Sequence, residues 1–87
     1  MVYRAQRARE YDNLINAFVL ARQGKNREAI TRLNDAIRTN PRLGEAYFNL
    51  GMVYLCTGKK DLAIKILRTL KSVDTNWAAK LSREVSK

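Results

Sequence analysis

The chain has no histidine, one cysteine and one proline among its 87 residues. Without histidine, the commonest general base and metal ligand is missing, and so is any Ser-His or Cys-His pair. A single cysteine, Cys56, excludes an internal disulfide and a cysteine-rich metal site. Its expected place is a partly buried one, where a thiol behaves as a small apolar group. Eight carboxylates lie scattered among seventeen basic residues and show no calcium-loop spacing. Gly24 and Gly58 stand isolated; they form no phosphate-cradling loop and read as helix C-caps. These absences argue against an enzyme, a resident cofactor and a metal. No apolar run approaches the ~20 residues of a membrane span. The stretch from Met1 to Glu10 carries Arg4, Arg7 and Arg9 with no apolar run after them, unlike a secretory signal, so the expected location is cytoplasmic.

What is present is apolar and helical in period. Hydrophobic residues make up 46% of the chain, which argues for a folded protein. The length suits one small domain spanning residues 1–87, which would bury only about 60–65% of its unfolded surface. The organising stretch is Tyr47, Leu50, Gly51 and Tyr54. On a helix these fall at i, i+3, i+4 and i+7 and share one face. A glycine inside a helix costs roughly 1 kcal/mol relative to alanine. Close approach of a facing helix would justify it at Gly51, with Ala63 as the expected small partner and Leu67 one turn further along.

Shifting the chain by 34 residues lays Val19 on Val53, Gly24 on Gly58, Lys25 on Lys59, Ala29 on Ala63, Ile30 on Ile64 and Leu33 on Leu67. Ala17 stands where Gly51 stands, small for small. With aromatic-x2-Leu-Gly-x2-Tyr at residues 47–54, Ala63 and Leu67 after it, and Pro41 at the position of the closing proline, the chain resembles the tetratricopeptide repeat family over about Glu10 to Trp77. The resemblance implies two repeats, about 10–43 and 44–77, and a capping helix at about 75–87. The fold class it implies is all-α: about five antiparallel helices in a right-handed superhelical stack, without strands. It is specific for fold and much less so for function.

Read in order, the first firm helix runs to about Gln23. The turn Gly24-Lys25-Asn26 follows, and a second helix occupies about Arg27 to Thr39, with an apolar stripe of Ala29, Ile30, Leu33, Ala36 and Ile37. Asn40 is expected to cap a third helix with Pro41 at its first position. That helix runs to about Thr57, a fourth to about Ser72 from Asp61, and Asp74 caps a fifth that carries Trp77, Ala78, Leu81 and Val85 on one side. Asn13 and Asn16 replace the aromatic and leucine of the first repeat, as suits the end of an array. Two repeats and a cap are marginal for burying a continuous core. A stable module, a self-associating one and a fragment of a longer array all fit.

In this family the first helix of each repeat lines a concave groove. The resemblance therefore implies a partner-binding groove made by Leu14, Phe18 and Arg22 from the first helix and by Glu45, Phe48, Asn49, Met52 and Cys56 from the third. Arg83 would stand at its far wall. Leu14, Phe18, Phe48 and Met52 would form an apolar strip; the plainer alternative is that they are core, or are covered by the N-terminal segment with Tyr3 as a lid. Asn49 and Arg83 also match half of the clamp with which some members hold an acidic C-terminus. The other half is replaced here by Leu14 and Phe18, so an apolar or amphipathic peptide fits better.

The expected function is a protein–protein interaction module, an adaptor, chaperone-like holder or assembly scaffold, with self-association as one outcome. The second reading follows from charge. A net +9, with Arg32, Arg38, Lys65, Arg68 and Lys71 on the outer helices, would let the convex back hold nucleic acid through phosphate contacts. The same charge would serve a solvated face or an acidic protein partner equally well.

Overall fold

The computed structural model describes residue 14, residues 16 and 17, and residues 19–87. Five helices account for these. In α1 the described helical positions are 14, 16, 17 and 19–22. The others are α2 (Asn26–Thr39), α3 (Gly44–Cys56), α4 (Lys60–Val73) and α5 (Thr75–Val85). There are no strands among the described residues.

The 34-residue period is visible in how helices end. At the end of α1, Gly24 adopts φ 78°, its N–H donates to the Ala21 carbonyl at 3.0 Å, and the Lys25 N–H donates to Leu20 at 2.8 Å. At the end of α3, Gly58 adopts φ 75°, donates to Leu55 at 3.2 Å, and Lys59 donates to Tyr54 at 2.8 Å. Both are Schellman closures, which require a left-handed residue after the helix and so favour glycine. The next helix in each case opens with a fully buried alanine one turn in, Ala29 or Ala63.

The following turns differ. Asn40 does not cap α3. It is the extended C-cap of α2, with its N–H on the Ala36 carbonyl, and its side chain accepts from the Arg42 N–H at 3.1 Å. The Leu43 N–H donates back to the Asn40 carbonyl at 3.1 Å, so residues 40–43 form a β-turn with Asn first and Pro second, positions both residues favour. Helix α3 then starts at Gly44, three residues past the expected Pro41. The Tyr47 hydroxyl donates to the Pro41 carbonyl at 2.9 Å and ties the turn to the helix. Asp74, 34 residues after Asn40, is likewise the extended C-cap of its helix, but it also caps α5 directly, as expected. Its carboxylate accepts from Asn76 N–H at 2.9 Å and Trp77 N–H at 3.1 Å.

Helix α3 is apolar around its circumference and is the central element, packing on α2, α4 and α5, as a helix without a polar face must. One core cluster joins α1, α2 and α3 through Leu14, Ala17, Leu33, Ala36, Leu50 and Val53. A second joins α3, α4 and α5 through Tyr47, Leu67, Leu70, Ala78 and Leu81.

The nearest approach at Gly51 is by Leu81 rather than by Ala63. A Cβ at Gly51 would lie 2.7 and 2.8 Å from the two Leu81 methyls of α5. Gly44 has the same character: a Cβ there would sit 2.8 Å from both Asp74 Cβ and Trp77 Cδ1. Both glycines of α3 therefore make room for α5, whose crossing the repeat signature alone does not reveal.

Candidate functional site

Along α3 a row of side chains at helical spacing, Phe48, Asn49, Met52 and Cys56, is left uncovered by α2, α4 and α5 to differing degrees. Phe48, Asn49 and Met52 are half-buried and Cys56 is exposed. Across from them, Ala17, Ala21 and Arg22 of α1 complete a pocket of about 370 Å³. Leu33 and Val53 form part of its floor, and Asn26 lies at its edge. The lining is predominantly carbon. The Asn49 amide makes no side-chain hydrogen bond among the described residues and stays open to solvent, so the pocket offers one neutral donor–acceptor pair in an apolar surround.

The expected groove residues separate on this geometry. Arg22, Phe48, Asn49 and Met52 share the pocket, joined by Cys56. Cys56 was expected to be partly buried; it is exposed, because it lies at the end of α3 on the face that no other described helix covers. Leu14 is core rather than groove, 4% exposed within the first cluster, because its side chain lies between α1 and the helices behind it. Phe18 lies outside the described residues, as does Tyr3. Glu45 is half-buried and does not line this pocket.

Arg83 lies elsewhere too. It borders a second depression of about 270 Å³ with Phe48, Lys80, Glu84 and Lys87. Phe48 is the ridge between the two. Its ring packs against Trp77 with centroids 5.0 Å apart and a 41° tilt, and Lys80 Nζ stands 4.4 Å from the Trp77 ring centre, a cation–π distance. The half-clamp pair Asn49 and Arg83 is thus divided by an aromatic wall. The sequence pattern turns Lys80, Arg83, Glu84 and Lys87 to water and Trp77 inward; that Phe48 packs on Trp77 beside them is decided by the tertiary structure. Lys80, Arg83 and Glu84 fall at i, i+3 and i+4 on one face of α5, and Lys87 lies just beyond its end.

The outer helices carry the basic residues expected of them. Arg32, Arg38, Lys65, Arg68 and Lys71 are exposed, and Arg38 pairs with Asp35 one turn before it. Neither α2 nor α4 contains an aromatic residue. Among the described residues, no cluster of carboxylates and cysteine could hold a metal ion, and no helix is long and apolar enough to cross a membrane.

No curated protein matches the chain. A family model described as a TPR repeat matches residues 19–58, a segment that begins in α1, runs through α2 and α3 and ends on the glycine that closes α3. Repeats of this family generally mediate protein–protein binding, and the family is typically a non-enzymatic scaffold. The matched segment, together with the 34-residue recurrence of its helix endings, supports assignment to the tetratricopeptide repeat family.

Proposed function

We propose that this chain is an interaction module that holds a segment of another protein against α1 and α3, acting as an adaptor, chaperone-like holder or assembly scaffold. The observation that carries this reading is the apolar pocket of about 370 Å³ between the two helices. Its size suits one or two large side chains, and concave apolar surfaces with a few polar groups are where ligands bind. The proposed contacts are Phe48 and Met52 for an apolar side chain, Asn49 for a backbone or amide group, and Arg22 at the rim. Met52 suits this role because its thioether adapts to differing partners. The same reading treats residues 1–87 as one domain of two repeats and a capping helix, wound as a right-handed superhelix with α1 and α3 on its concave side. A cytoplasmic setting fits that role.

The nucleic-acid reading rests on the exposed cations of α2 and α4. It lacks an aromatic on either helix, hence a base-stacking platform, so the groove reading takes precedence.

The test is selection from a random-peptide display library on the parent protein, Met52→Glu and Asn49→Arg. Glu at 52 must be desolvated wherever a ligand covers the pocket, and Arg at 49 fills its mouth. Peptides with a bulky apolar anchor, enriched on the parent and lost on both variants at unchanged helical circular dichroism, are expected. Failure of the parent to enrich any sequence, or equal enrichment by all three proteins, would overturn the reading.

A further inference from the structure

Each of the first three connections between helices holds a residue that resists a continuous helix. Gly24 and Gly58 close α1 and α3 in the left-handed region, and Pro41 stands in the turn after α2, where its ring and missing N–H bar a helix interior. The fourth connection holds none. No glycine or proline stands between Lys59 and Lys87, and the position 34 residues after Pro41 is Thr75. The break between α4 and α5 is a single extended residue, Asp74. Asp74 already makes both backbone bonds it would make in an unbroken helix. Its N–H donates to the Leu70 carbonyl at 2.8 Å, and its carbonyl accepts from the Ala78 N–H at 3.0 Å. Two features keep the chain bent. The Asp74 carboxylate takes the N–H groups of Asn76 and Trp77, and Trp77 and Leu81 are seated against the two glycines of α3.

We infer that this joint straightens: α4 and α5 merge into one helix from Lys60 to Val85, and the released α5 seats on α3 and α4 of a second copy, which returns its own. In a continuous helix the N–H groups of Thr75, Asn76 and Trp77 reach the carbonyls of Lys71, Ser72 and Val73, so the carboxylate has no further task. The 11 residues of α5 then project about 16 Å past the end of α4. They carry Ala78 and Leu81 out of the core and leave Tyr47, Leu67 and Leu70 uncovered. Both faces are apolar and unfavourable in water. A second copy offers each of them the contacts it has lost, including the spaces at Gly44 and Gly51, which is why exchange of an identical element is a low-cost route to a dimer. A connection this short favours it further.

Charge is the opposing term. Two chains of net +9 repel, so added salt favours the exchanged pair. The inference goes beyond the groove reading: the exchange does not use the α1–α3 pocket, and the pair carries two such pockets on one body.

The experiment compares the parent with Asp74→Ala, Thr75→Pro and the double variant. Each is refolded from urea at high protein concentration and its mass is measured by sedimentation over a dilution series. Alanine at 74 removes the cap and favours helix. Thr75 is exposed and is the first residue of α5. Proline there loses no intrahelical bond and prefers an extended residue before it, but it cannot lie inside a merged helix. The parent is expected to yield a fraction of doubled mass that Thr75→Pro lacks. Asp74→Ala should double in mass at a concentration roughly tenfold or more below the parent, and more readily at high salt. Adding Thr75→Pro to Asp74→Ala should restore the single mass at unchanged helical circular dichroism. A doubled mass that survives Thr75→Pro, or that Met52→Glu abolishes, would put the contact elsewhere and overturn the inference. A folded Asp74→Ala protein of single mass at every concentration would overturn it too. If Asp74→Ala does not fold, the parent and Thr75→Pro decide, and equal mass distributions for these two would overturn it. None of these results alters the groove reading, which display selection tests separately.

Discussion

Leu81 of α5 occupies the space that any side chain at Gly51 of α3 would need, its methyls lying 2.7 and 2.8 Å from where a Cβ would stand. Leu81 is fully buried, so it has no exposed direction in which to retreat. The glycine that the repeat signature places in α3 is thus a seat for the last helix. Replacing it by leucine should lower stability by ~1–3 kcal/mol, the usual effect of overpacking. The partner is identified by a double-mutant cycle in thermal melts. Leu81→Ala should recover part of the loss caused by Gly51→Leu, whereas Ala63→Gly should recover none. Recovery by Ala63→Gly instead would mean that α4 is what Gly51 seats.

Gly44 tests the same crossing nearer its start. There an added Cβ would meet Asp74 Cβ and Trp77 Cδ1 at 2.8 Å. Asp74 Cβ is attached directly to the backbone of the cap and cannot swing aside as a side-chain tip can. Gly44→Ala should therefore destabilise despite alanine's helix preference of roughly 1 kcal/mol, and should shift Trp77 fluorescence as the start of α5 moves. A more stable Gly44→Ala protein with unchanged emission would show that α5 does not press on this position.

Two single hydrogen-bonding side chains fix where helices begin. Asp74→Ala removes the acceptor for Asn76 and Trp77 N–H and should cost about 0.5–2 kcal/mol. Tyr47→Phe removes the donor to the Pro41 carbonyl and should cost about 0.5–1.5 kcal/mol. Urea titrations followed by circular dichroism measure both. A loss at Asp74 no larger than at an exposed control such as Thr69 would show that the cap is not stabilising α5.

Cys56 provides a reporter for the pocket. It is the sole cysteine, it is exposed, and it borders the pocket with Met52 and Asn49. An environment-sensitive maleimide dye attached there should change emission when a selected peptide binds, and a bulky adduct should reduce affinity. Insensitivity of the dye to saturating peptide would move the binding surface away from α3.

Nucleic acid should bind only weakly. If the exposed cations of α2 and α4 serve as a solvated face, affinity for random duplex should fall steeply with salt and vanish near physiological strength. Saturable binding at that salt, removed by reversing Lys65, Arg68 and Lys71 to Glu, would favour the second reading of the charge.

Much of the fold was legible because it is written in local chemistry. Gly24 and Gly58 declare left-handed helix ends, Asp74 declares a cap, and Ala29 and Ala63 declare close packing, each from a residue type and its spacing alone. The start of α3 was misread because Asn-Pro serves two local structures equally well, a helix start and a β-turn. The Tyr47–Pro41 hydrogen bond that accompanies the turn is made across the connection. Of the residues that line the pocket between α1 and α3, Arg22, Phe48, Asn49 and Met52 could be gathered from the repeat register, while Leu14 could not be separated from them, since an apolar residue on a helix gives no sign of which neighbour covers it.

Val19 and Val53 divide what each level settles. They are the same residue, 34 apart, at one repeat position, and sequence alone determines that equivalence along with the helices, their closures and the excess of positive charge. Yet Val19 is 44% exposed and Val53 is 7% exposed. The same holds for Gly51, whose smallness is in the sequence and whose occupant, Leu81, is not. Period and composition specify what each helix can offer to a neighbour. Burial, the close approach at Gly51 and the division of the surface at Phe48 depend on which helix arrives there, which only three-dimensional packing decides.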